Sequence, residues 1–166
     1  MGYDAPDTLT AAVSPEYGKY AAAALSADLL GYDTANLAVD GKSPNLTVIG
    51  HSYGAYLSGL ALSESTPDGL VDNFIYLGAP GLGVEDLSEL NVDQENVYGV
   101  INGLDPVPEL GNASNAVGGD FGPSPYADIG LEGLKGTYLK GAPFGVHDYY
   151  GESDVLEQLA EVAVAQ

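Results

Sequence analysis

The chain has 166 residues, enough for one hydrophobic core and too few for two, and its 45% hydrophobic content is that of a chain that folds, so one domain spanning 1–166 is expected. Asp and Glu number 24 against 4 Lys and no Arg, a formal net charge of -20 that argues against nucleic acid or an anionic membrane surface as partner, since both require clustered cations. With no Cys there is no disulfide framework, thiolate nucleophile or thiolate metal site.

In chain order, "MGYDAPDTLT" has neither the basic nor the apolar region of a signal peptide, and no later run reaches the ~20 apolar residues that span a bilayer; the compartment stays open. "SPEYGKYAAAALSADLL" reads as a helix, with Ser14 as N-cap, Pro15 at the first helical position and Glu16 in the first turn. "LTVIG" is a buried strand and "AYLSGLALS" a helix whose small residues pack closely on a sheet. "NFIYLGAP" is a strand ending in a Gly-Pro turn, "VEDLSEL" a short acidic helical stretch, and "NVYGVINGLDPVP" a third strand running into a Pro-punctuated loop. Residues 111–136, rich in Gly, Pro, Asn and Asp, read as a long surface excursion, "GTYLKG" as a short fourth strand, and "SDVLEQLAEVAVA" as a closing amphipathic helix capped by Ser153. Strands that are nearly continuous apolar runs, alternating with helices, predict a mainly parallel sheet covered on both faces, with ligands bound at the carboxyl ends of its strands.

At one such end lies Gly50-His51-Ser52-Tyr53-Gly54. A G-x-S-x-G between strand and helix holds its serine in a strained turn with the hydroxyl exposed, the flanking glycines sparing collisions where the two elements meet. The helix behind Ser52 directs its positive end there, and the Tyr53 N–H is the expected oxyanion donor.

Serine needs a base, and the chain has two His. His51 adjoins Ser52 with its side chain leaving in another direction, which leaves His147, in "GAPFGVHDYYG", as the base. Asp105, directly after an apolar strand and between Ser52 and His147, is the expected orienting acid; Glu85 and Asp86 are the substitutes. Two structural readings compete: an ordinary strand-to-helix turn at Ser52, and an ordinary turn at "DPVP" in which Asp105 bonds its own backbone. The acidic clusters lack the alternating spacing of a calcium loop, and no metal or organic cofactor is expected.

Six stretches, "GYDAP", "LTVIGHSYGA", "YLGAPGLGV", "LDPVP", "GGDFG" and "GVHDYYGESDVLEQLA", together resemble an actinobacterial α/β-hydrolase domain family of unknown function. The resemblance implies the α/β-hydrolase fold and Ser52, Asp105 and His147 as triad, in the order Ser, Asp, His. It implies no substrate. It also implies that "GYDAP" ends a strand whose beginning, with a helix and an earlier strand, is not in this sequence. The expected fold is therefore an α/β, truncated α/β-hydrolase-type three-layer sandwich with a small, mainly parallel sheet of about four strands. Its exposed edge would be available for oligomerisation, and the second oxyanion donor has no evident source. The expected activity is hydrolysis of a small-molecule ester through an acyl-enzyme; the alternative is a non-catalytic, designed or minimised domain that keeps the scaffold as a binding or structural module.

Overall fold

A computed structural model describes residues 16–100, 105–124, 147, 149 and 153–164. Helix α1, Glu16–Asp40, continues well past Leu30, where the Ala-rich pattern fades. Gly31 does not stop it. The Thr34 hydroxyl donates to the Leu30 carbonyl at 2.7 Å and the Asn36 amide to that of Tyr32 at 2.8 Å, each across one helical turn. The stop is Gly41, at φ 72, whose N–H donates to Leu37 O at 3.0 Å. That left-handed cap is one glycine suits.

Strand β1, Thr47–His51, leads through Ser52 into α2, Tyr53–Glu64. Strands β2, Asn73–Leu77, and β3, Val97–Val100, complete a parallel sheet in the order β1-β2-β3. Val48, Phe74 and Val97 lie in register, as do His51 with Leu77 and Leu77 with Val100. Every residue of β2 is buried, because both of its faces are covered. Phe74 and Tyr76 join Ala55 and Leu62 of α2 on one face; Ile75 and Leu77 join Val155 and Leu159 of the last described helix, α4 (Ser153–Val164), on the other. The three layers are thus α4, sheet and α2, with α1 packed along α2. Among the described residues β1 pairs only with β2, and its Ile49, on the α4 face, is 42% exposed.

Two elements differ from expectation. "VEDLSEL" forms only a 3-10 turn, Leu87–Glu89, with Asp86 as its cap. The stretch expected as a long excursion begins as helix α3, Val107–Asn115, which enters on Pro106 and Pro108 and approaches the carbonyl of Pro80 so closely that a Cβ on Gly111 would lie 1.8 Å from it. Phe121 is then fully buried against Tyr56, ring centroids 4.8 Å apart. The "GTYLKG" strand and the Ser14–Pro15 helix start lie outside the described residues, as does "GYDAP". Ser153 is the first residue of α4. Among the described residues no helix is long and apolar enough to cross a membrane.

Candidate active site

Parallel strands deliver their carboxyl ends to one edge of the sheet, and there the chemistry-bearing residues gather. Ser52 follows β1 with φ 56 and ψ -126, the one described non-glycine residue at positive φ. Such a backbone costs about 1–3 kcal/mol and persists only where its surroundings impose it. They do: the Ser52 N–H donates to Leu77 O at 2.8 Å, tying the turn to the end of β2, and the Ala55 N–H donates to Ser52 O at 3.0 Å. The two glycines of the motif differ. A Cβ on Gly50 would lie 2.6 Å from the Ala55 Cα, whereas one on Gly54 would meet nothing within 4 Å. Only the first is demanded by the strand–helix approach.

Tyr53 opens α2, at the end where helical N–H groups lack intrahelical acceptors and the dipole is positive. Its side chain turns inward, the hydroxyl accepting the Gly18 N–H of α1 at 2.9 Å. The phenol therefore locks α1 onto α2.

Asp105 is 7% exposed and uses its two oxygens differently. Oδ1 accepts the Val107 N–H at 2.9 Å, the local turn read from "DPVP". Oδ2 lies 2.8 Å from Nδ1 of His147 and accepts the Tyr149 hydroxyl at 2.7 Å. The local turn and the partnership with His147 coexist. A carboxylate can only accept, so His147 carries a ring proton on Nδ1, and in the neutral ring Nε2 is then a lone pair; that atom is buried and makes no hydrogen bond. No Ser52–His147 bond is formed in this structure, a contact that in serine hydrolases commonly tightens only with substrate bound. The His51 ring stacks beside that of His147, centroids 4.5 Å apart.

Tyr149 was not singled out by the sequence reading. Fully buried, it shares one carboxylate oxygen with His147 two positions earlier. Gly78, after β2, packs against all three: a Cβ there would lie 2.5 Å from Asp105 Oδ2, 2.7 Å from Tyr149 Cε2 and 2.9 Å from His147 Cε1. The substitute acids are elsewhere. Glu85 and Asp86 are exposed, Asp86 accepting the Ser88 N–H at 2.8 Å while the Glu85 N–H donates to Glu89 at 2.8 Å.

Burial is the largest single influence on Asp105 and raises its pKa, but the hydrogen bonds from His147, Tyr149 and Val107 and the charge interaction with His147 together outweigh it, holding the carboxyl below its ordinary 3.8. A lowered folded-state value means that the ionised carboxylate favours the folded state above the unfolded value, and that this contribution is lost as pH falls through the lowered one. The melting-temperature advantage of the chain over Asp105→Asn should therefore be smaller near pH 3 than near pH 6, an expectation that follows from the linkage alone. Paired thermal melts check it, and an advantage that grows on acidification would contradict it.

A separate hollow of about 860 Å³ lies at the opposite, amino-terminal edge of the strands, walled by Asp33, Asp68, Asp72 and Lys42 among others.

Residues 1–115 match the model of an α/β-hydrolase family. Uncharacterized proteins of Mycobacterium bovis and Mycobacterium tuberculosis are 31% identical to the chain over 121 residues, covering 70% of this chain and 43% of each relative. The chain thus spans less than half the length of these curated relatives. No solved structure matches it at a significant level. With the match over 1–115, the three layers and the strained serine after β1, the chain belongs to the α/β-hydrolase family.

Proposed function

We propose that the chain is a serine hydrolase of carboxylic esters that acts through an acyl-enzyme, with Ser52 as nucleophile, His147 as base and then acid, Asp105 as the orienting carboxylate and the Tyr53 N–H as an oxyanion donor. The observation that carries the reading is the convergence, at one sheet edge, of a serine held at positive φ and a histidine whose Nδ1 is bound to a buried carboxylate.

Ser52 Oγ attacks the ester carbonyl carbon while His147 Nε2 takes its proton. Asp105 stabilises the resulting imidazolium, and the negative oxygen is met by the Tyr53 amide at the positive end of α2. Collapse of the tetrahedral intermediate breaks the ester C–O bond, with His147 returning the proton to the departing alcohol. Water, deprotonated by His147, then attacks the acyl-Ser52, and the acid leaves. At a net charge of -20 the protein repels anionic esters, so neutral or cationic ones are the favoured substrate class. Hydrolysis of p-nitrophenyl acetate that disappears in Ser52→Ala tests the proposal; hydrolysis that survives the substitution would contradict it.

A further inference from the structure

His51 has no part in the mechanism above, yet it contacts both residues that converge on Asp105. It ends β1 in register with Leu77, and strand alternation puts its side chain on the face shared by Ile75, Leu77 and Tyr149. Its ring centroid is 4.5 Å from that of His147 at an interplanar angle of 34°, and 5.6 Å from that of Tyr149, edge-on. Its Nε2 lies 2.9 Å from the backbone carbonyl oxygen of His147, a residue 96 positions away in the chain. A carbonyl only accepts, so His51 Nε2 must carry the hydrogen.

We infer that His51 is a positioning residue: its Nε2–H fastens the backbone of His147 to the strand that carries Ser52, so that the two histidines are held in opposite tautomers and only His147 keeps an unengaged Nε2. The bond to Asp105 fixes the rotation of the His147 ring through Nδ1, and Tyr149 ties the chain two residues on to the same carboxylate. His51 adds a hold on the His147 backbone itself and, being covalently adjacent to Ser52, refers base and nucleophile to one strand end. The catalytic consequence rests on the serine-hydrolase reading; the hydrogen bond and the tautomers do not.

The test uses protein labelled with ¹⁵N in histidine, as wild type, His51→Ala and His51→Gln, the last because a Gln amide N–H can reach the same carbonyl. Ring-nitrogen shifts report the tautomers, and in either variant the remaining signals belong to His147 alone. The wild type should show His51 protonated at Nε2 and His147 at Nδ1. In His51→Ala the two His147 nitrogens should move toward a tautomer average, and labelling of Ser52 by a fluorophosphonate should slow roughly ten- to a hundred-fold. His51→Gln should keep the wild-type His147 shifts and label within roughly threefold of the wild-type rate, since the positioning bond is restored. His51 protonated at Nδ1, or His147 nitrogens that do not move in a folded His51→Ala, would overturn the inference. Should His51→Ala fail to fold, His51→Gln decides alone, and altered His147 shifts in that variant count against the inference. A wild type that resists the probe would remove the hydrolase reading, while the nitrogen shifts would still decide whether His51 holds His147.

Discussion

Alanine at position 52 is expected to reduce ester hydrolysis by on the order of 10³- to 10⁶-fold, limited below by the uncatalysed rate, and His147→Ala to do nearly the same. The double variant should be no worse than either single one, because a nucleophile without its base and a base without its nucleophile are equally idle. Steady-state hydrolysis of p-nitrophenyl acetate by the three variants checks this, and additive losses would mean that Ser52 and His147 act independently. Stability should move the other way at one substitution. Ser52 sits at φ 56, so Ser52→Gly should melt above Ser52→Ala, glycine relieving a backbone strain of about 1–3 kcal/mol that alanine retains.

Gly78→Ala is expected to be the most damaging single-methyl change in the described part of the site. The position is at φ 53, where an L side chain is disfavoured by about 1–2 kcal/mol. Its new Cβ would also enter a space already filled by Asp105 Oδ2, Tyr149 Cε2 and His147 Cε1, all within 2.9 Å. None of these can yield cheaply: Asp105 is held by three hydrogen bonds, and Tyr149 is fully buried. Overpacking of this kind adds about 1–3 kcal/mol of destabilisation. Displacing the Asp105–His147 pair by even ~1 Å should cost about a hundred-fold in kcat. Denaturant melts and hydrolysis rates measure the two effects. Wild-type values for both would show that Gly78 does not abut the pair.

The layered fold was legible because β1, β2 and β3 are short apolar runs set between helical stretches, and burial on two faces leaves that signature directly in β2. Where the reading fell short, short-range signals competed. The helical pattern was read only as far as Leu30, where its Ala-rich run fades; the isolated Gly31 is tolerated inside the helix, and the actual stop is the left-handed Gly41. Pro106 and Pro108 looked like loop residues, although proline at the first helical positions is equally a start signal, which is how α3 begins. At Asp105 the sequence offered a local turn or a partner for His147 as alternatives, and a carboxylate with two oxygens makes both bonds. Tyr149 and Gly78 were illegible as parts of the site. Their places depend on three strand ends and a distant segment meeting at one edge, which no local pattern encodes. Likewise His51 could be set aside as a base from its position beside Ser52, but its bond to the His147 backbone is a tertiary fact.

The central claim is that Ser52 is a nucleophile activated by His147, and stoichiometric labelling by a fluorophosphonate tests it most directly. Intact-mass analysis of the folded wild type should show one adduct per chain, mapped by peptide sequencing to Ser52, absent in Ser52→Ala and strongly slowed in His147→Ala. A folded wild type that takes up no probe, or an adduct that maps to another residue, would contradict it.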